Sequence, residues 1–221
     1  TNHHVIENAV RVEVLLGGKY HKAQVISSSE ENDLALLKIT GHFETIPLFS
    51  SDDVSLGKDV FTMGYPETSG TPLTFTEGVL KLKSNVSLTY TAGEVNKLEP
   101  WGWENTFQTS TQLHKGNSGG ALVDNYGNVV GIVYSGLVGI EIQNINYAVK
   151  SKYALDLISK AGVSGKLTTP YSSDTTRQKS AIISQTENST GLIISFFNQA
   201  TVEYLSPIYS WNAASNLGNG W

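Results

Sequence analysis

Ser118 stands in the run Gly116-Asn117-Ser118-Gly119-Gly120, with the apolar Ala121-Leu122-Val123 directly behind it. A serine hydroxyl that attacks a carbonyl has to be approachable, and the charge it creates on oxygen has to be met by backbone N–H groups aimed there. Glycine on both sides suits that chemistry. Without a Cβ, the flanking residues reach backbone angles closed to others and let another chain lie close. The same five residues also spell a tight turn into a strand, and by themselves they do not choose between the two readings. Two earlier patterns carry the residue types such a serine would need: Thr1-Asn2-His3-His4-Val5, then Asp33-Leu34-Ala35-Leu36-Leu37-Lys38-Ile39. Taken singly, each histidine is as well explained as a core or surface residue and the aspartate as a turn residue. Along the chain their order is His, Asp, Ser.

The elements that would have to position these residues are short. Val10 to Leu16, His21 to Ser27, Asp33 to Ile39, Val60 to Met63, Leu73 to Leu82 and Ala121 to Val123 are rich in Val, Ile, Leu and Thr, with Gly, Asp, Asn and Ser between them. This spacing predicts an antiparallel barrel or sandwich. Asp124-Asn125-Tyr126-Gly127 joins two of the strands as a hairpin. One good helix is predicted, opening with Ser151 as N-cap, burying Ala154, Leu157, Ile158 and Ala161, and stopping at Gly162. Ser164 to Gln178 is polar, contains Pro170 and reads as a linker. Beyond it, Ala181 to Ser184, Gly191 to Phe197 and Thr201 to Leu205 are candidate strands, and there is no internal repeat.

Composition narrows the function classes. The 221 residues suit one large or two small domains. A net charge of −5, with 15 Lys and Arg in no basic run, argues against a nucleic-acid partner. The absence of cysteine excludes a disulfide framework, a thiol nucleophile and Cys-ligated zinc, but leaves the compartment open. No apolar run has the length of a membrane span. The first residues do not read as a signal peptide, and the chain begins inside a structural element, so an N-terminal strand is expected ahead of Thr1. His3 and His4, placed on a strand, would face opposite ways and so would not form a metal pair. No cofactor or metal is implied.

Together the three patterns resemble those of the trypsin-like, chymotrypsin-fold serine peptidases, and their wording is most similar to the HtrA, or Deg, branch. The branch's histidine motif reads Thr-Asn-x-His-Val, which puts the catalytic histidine at His4, directly before Val5, and not at His3. Asp33 opens the Asp-Leu-Ala-Leu-Leu-Lys motif, and Gln108-Thr109 through Ser118 match the approach to the nucleophile. Gly64-Tyr65-Pro66, Thr74 to Gly78 and Ile145-Asn146-Tyr147-Ala148-Val149 match intervening and following strand motifs. The resemblance covers roughly residues 1 to 162. It implies an all-β, two-barrel chymotrypsin-like fold with a C-terminal helix. It divides the chain into a peptidase domain, 1–163, and a linker with C-terminal extension, 164–221, of unassigned role.

The implied activity is that of a serine endopeptidase acting through an acyl-enzyme. Ser118 would attack, His4 would take its proton and return it to the leaving amine, and Asp33 would hold the imidazole and stabilise its charged form. The N–H groups of Gly116 and Ser118 would form the oxyanion hole. Digestive members of the family carry Asp at the position of Asn117, where it pairs with a freshly cut N-terminus. Asparagine cannot form that pair, so control is expected to lie in the arrangement of the loop from Leu113 to Gly116. There the sequence departs from the branch, with His114-Lys115 where Asn-Pro is usual and Ser110 where Asp is usual.

Trypsin-specific members carry Asp six residues before the nucleophile, and Gln112 stands there; glutamyl-specific relatives carry His where this chain has Val133. By the resemblance, Gln112, Val133, Tyr134, Ser135, Gly136 and Tyr147 bind substrate, with a small or aliphatic residue before the cut. An extended substrate would add itself as a strand. Lys83 to Thr106 is longer than expected for the branch and holds Tyr90, Trp101 and Trp103, which suit either a packed hairpin or a recognition lip. Partners are therefore a protein or peptide substrate, with an oligomer or a fused regulatory module allowed, no nucleic acid and no membrane span. The branch suggests a bacterial, extracytoplasmic protein. Competing readings are a catalytically silent peptide-binding module on the same fold, or the peptidase effector module of a larger sensor.

Overall fold

The alternation of short apolar runs with turn residues resolves into paired antiparallel strands. The computed structural model describes residues 1–65, 73–76, 79–82, 89–98, 104–111, 113, 116–134, 146–172 and 177–198. Strands β1 (Arg11–Leu16), β2 (Lys19–Ser29) and β3 (Leu34–Lys38) follow one another as a meander. Gly17 and Gly18 make the two-residue turn between β1 and β2, both with positive φ (58° and 73°), as the primed hairpin turns that match strand twist require.

The second unit is a closed barrel. After β4 (Asp59–Gly64), β5 (Leu73–Thr76) and β6 (Val79–Leu82) form a hairpin of their own; then come β7 (Thr89–Leu98), β8 (Thr106–Thr109), β9 (Ala121–Asp124), β10 (Val129–Tyr134) and β11 (Asn146–Lys150). The barrel runs β10-β11-β8-β7-β4-β9, so every one of its strands has two neighbours. Its interior is packed with Val60, Val95, Phe107, Leu122, Val130, Val133 and Ala148. Helix α1 (Ser151–Lys160) follows and buries Leu157 against Leu34 and Val149, tying β3 to the barrel.

Several expectations are corrected here. Ser151 is the first helical residue of α1 and not its cap: Lys150 occupies the cap position without a side-chain capping bond to the helix, and the Ser151 hydroxyl donates to the Phe49 carbonyl. The helix does stop at Gly162, whose φ of 71° suits glycine after a C-terminus. The stretch after α1 is pinned to the barrel, since Asn128 and Tyr171 exchange bonds of 2.9 and 2.8 Å, and Arg177 donates to the Tyr126 carbonyl while lying over the Tyr171 ring. Residues 181–184 are not a strand. They belong to helix α2 (Lys179–Ser189), whose Ile182 packs on Phe61, Val123 and Val129 outside the barrel.

Residues 192–196 are a strand, as expected, and the structure gives them a partner at the start of the chain. β12 (Leu192–Phe196) pairs antiparallel with β1, from Arg11 opposite Phe196 to Leu15 opposite Leu192, giving a four-stranded sheet in the order β12-β1-β2-β3. The approach is close: a Cβ added at Gly191 would lie 2.5 Å from Val14. Tyr65 donates its hydroxyl to the Thr190 carbonyl, and burial, with Glu187 nearby, raises the phenol above its ordinary pKa, so it stays a donor. No helix among the described residues is long and apolar enough to cross a membrane. Thr201 to Leu205 lies outside the described residues.

Candidate active site

His3 and His4 sit in tight turns ahead of β1 and not on a strand, with the N–H groups of Ile6 and Glu7 both donating to the His3 carbonyl. The turn separates the two histidines. His4 points its Nδ1 at Asp33 Oδ2, 2.7 Å away, while its main-chain N–H donates to Asp33 Oδ1 at 2.8 Å. Both oxygens of one carboxylate thus hold one residue, fixing the ring and the peptide that carries it. The Nδ1 of His3 is buried without a hydrogen-bond partner among the described residues and takes no part in this pair.

Asp33 precedes β3 in the left-handed region, φ 47°, which is costly for a residue with a Cβ. Three bonds hold that segment: Asp33 N–H to the Glu30 carbonyl at 3.0 Å, Asn2 Nδ2 to the Asp33 carbonyl at 2.9 Å, and Ala35 N–H to the Thr1 carbonyl at 2.8 Å. The β12 strand reaches the same place, because Ser195 Oγ donates to the Val5 carbonyl at 2.6 Å. Ile193 packs with Ile6, Val12 and Ala35 beneath the histidine turn.

Ser118 lies half-buried on a turn leading into β9, closed by Gly120 N–H donating to the Asn117 carbonyl at 3.0 Å. Ser118 and Gly119 are its middle residues, and Gly119 has φ 83°, the sign that a type II turn demands at that place. Turn and approachable serine are therefore one feature. Two bonds moor it to the barrel, Gly119 N–H to the Val133 carbonyl at 2.9 Å and Val133 N–H to the Gly120 carbonyl at 2.8 Å. Gly116, at φ 93°, turns the chain on the other side. Asn117 is 2% exposed, and a Cβ on Gly64 would come within 2.6 Å of its Oδ1, so the end of β4 closes over it. An ionised Asp there would be a buried charge, which is costly unless paired.

The two halves of the site meet in two places. A Cβ on Gly119 would lie 2.2 Å from Thr1 Oγ1 and 2.9 Å from Asn2 N, so the serine turn rests on the chain just before His4. On the other side, the His4 ring meets Tyr134, next to Val133, edge to face at 5.7 Å. Val133 is fully buried in the barrel and contributes to the site through the main-chain bonds that hold the serine turn. Tyr134 and Tyr147 are register partners on β10 and β11. Ser110 is engaged by β7, its Oγ accepting from Glu94 N–H at 2.9 Å. Gln112, Ser135 and Gly136 lie outside the described residues, as do His114, Lys115, Trp101 and Trp103. Asn2 and Ser195 bond to the segments that carry Asp33 and His4 without being candidates in the sequence; only the place of Asn2 inside the Thr-Asn-x-His-Val motif offered a signal.

An all-β molecule that sets a His–Asp pair against a glycine-flanked serine turn defines the class of the trypsin-like peptidases. The sequence profile of the trypsin-like peptidase domain matches residues 1–132, and the chain belongs to that family. The serine protease Do-like HtrA of Lactococcus lactis subsp. lactis (strain IL1403) is 34% identical over 179 residues, covering 77% of this chain and 42% of its own length. The serine endoprotease DegS of Escherichia coli (strain K12) is 35% identical over 135 residues, covering 60% of this chain and 35% of its own. A solved HtrA-type protease, AlgW with a decapeptide, superposes with a TM-score of 0.60 at 29% identity, over 75% of this chain and 48% of that one. The chain thus spans less than half the length of these relatives.

Proposed function

We propose that this chain is a serine endopeptidase domain of the HtrA type, with Ser118 as nucleophile, His4 as general base and then general acid, and Asp33 as the residue that orients His4. The observation that carries the proposal is the paired grip of Asp33 on His4, at 2.7 and 2.8 Å, beside a serine turn resting on Thr1 and Asn2. With Asp33 on Nδ1, the opposite ring nitrogen is left to take the Ser118 proton as Oγ attacks the carbonyl. The tetrahedral oxyanion is met by the N–H groups of Gly116 and Ser118. On collapse, His4 returns the proton to the leaving amine, and water repeats the sequence to release the acid. Asp33 stays ionised throughout and stabilises the imidazolium.

Substrate is a protein or peptide lying extended along β10, with an uncharged, small or aliphatic residue before the cut, flanked by Tyr134 and Tyr147. Gln112, Ser135 and Gly136 complete the pocket in this proposal, Val133 contributing through its main chain alone, and 1–163 carries the catalytic residues while β12 completes the sheet beneath them. An extracytoplasmic location follows from the branch it resembles. A fluorophosphonate tests the chemistry: the wild-type chain should be labelled and Ser118→Ala should not. Labelling of neither, with peptide still bound, would replace this reading by a catalytically silent binding module. A peptide library cut mainly after Arg, Lys or Glu would overturn the specificity.

A further inference from the structure

Asn2 is completely buried, and its amide does one thing among the described hydrogen bonds: Nδ2 donates to the main-chain carbonyl of Asp33, 2.9 Å away. That carbonyl belongs to the one residue in the site held in the left-handed region without being glycine. Such a conformation is one that few residues other than glycine take, and it persists where surrounding bonds over-determine it. It matters because it carries the Asp33 side chain back toward the histidine turn, where both carboxylate oxygens reach His4. The same residue also supports the nucleophile, since its main-chain nitrogen is 2.9 Å from where a Gly119 Cβ would stand. We propose that Asn2 is the positioning residue of the site, a buried amide clamp that locks the Asp33 peptide and thereby aims the carboxylate at His4, while its backbone seats the serine turn.

The choice of side chain is specific. Aspartate at this position could only accept, and would face the Asp33 carbonyl with a second negative group. Alanine would leave the carbonyl without its donor, and glutamine would carry the amide one methylene too far. The catalytic consequence rests on the peptidase reading above, whereas the clamp itself is a matter of hydrogen bonding.

The test uses the full chain in four forms: wild type, Asn2→Ala, Asp33→Ala and the double variant, each with its melting temperature measured. Two readouts are followed, the rate of fluorophosphonate labelling and the far-downfield proton resonance of the His4–Asp33 hydrogen bond. Asn2→Ala should label about 10- to 100-fold more slowly, the scale on which small misplacements of catalytic groups act. Its downfield resonance should be lost, and the double variant should label no more slowly than Asp33→Ala alone. An unchanged resonance and labelling rate in Asn2→Ala, or two effects that multiply, would overturn the proposal. Should Asn2→Ala not fold, Asn2→Leu fills a similar volume with neither donor nor charge: loss of the resonance supports the clamp, and its retention refutes it. Absence of labelling in the wild type defeats the peptidase reading, and the resonance still decides the clamp.

Discussion

The barrel that carries Ser118 closes on itself through six strands, whereas the sheet that carries His4 and Asp33 stays open and takes its fourth strand from beyond the helix that ends the barrel. The barrel surrounds a core of fully buried side chains, and the serine turn is bonded directly to its β10 strand. The His–Asp pair stands on a smaller cluster of Ile6, Val12 and Ala35, covered by Ile193 from β12. One half of the site is thus held by local closure, the other by contacts spanning most of the chain. A two-part site of this kind is expected to fail first on the acid–base side, because the open sheet has fewer buried contacts to lose.

The largest effects should come from breaking both halves chemically. Ser118→Ala and His4→Ala are each expected to lower turnover about 10⁴- to 10⁶-fold, with the double variant no worse than either, because such groups act as one unit. His3→Ala should lower kcat/KM far less than His4→Ala, because His3 takes no part in the pair with Asp33. An essential His3 beside a dispensable His4 would reverse the assignment made from the 2.7 Å contact.

The contrast in stability can be sharpened by trimming one core at a time. Leu122→Ala, in the middle of the barrel, should cost about 2–5 kcal/mol, and Ile194→Val, in β12, about 0.5–1.5 kcal/mol. Denaturant unfolding measures the first. Hydrogen exchange distinguishes the second, which should speed exchange in β12 and β1 while leaving β10 protected; equal acceleration in β10 would show that the two halves open together. The smallest effect is expected from Ser195→Ala, which removes the bond to the Val5 carbonyl at a cost of about 1 kcal/mol. Steady-state kinetics should then show kcat falling a few-fold with KM unchanged, since Ser195 touches the histidine turn and not the substrate strand.

Much of this was legible because the signals were local. The Asp124–Gly127 turn, the α1 helix ending at Gly162 and the Ser118 loop each depend on residues a few positions apart. Reading 181–184 as a strand failed for an identifiable reason. Ala-Ile-Ile-Ser is a short apolar run without periodicity, and its state is decided by the barrel surface that receives Ile182. Ser151 stands one position inside the helix it was expected to cap, and its hydroxyl donates to the Phe49 carbonyl, 102 residues away, a contact that no local pattern announces. The bond from Asn2 to Asp33 was not legible, since an amide that donates to a main-chain carbonyl 31 positions on leaves no pattern that names its partner.

By itself, then, the amino-acid order supplied the candidate residue types: a serine framed by glycines, a histidine before Val5, an aspartate opening an apolar strand, and an asparagine where digestive members of the family carry aspartate. It determined the strand-rich class through the spacing of short apolar runs and turns. Only the tertiary structure decided that β12 lies against β1, that the linker is pinned by Asn128 and Arg177, and that Asn2 grips Asp33 while Gly119 rests on it. The division has a physical cause. Turn formation and hydrophobic periodicity are set within a few residues, whereas pairing of distant strands and satisfaction of buried polar groups depend on which surfaces the closed chain brings together.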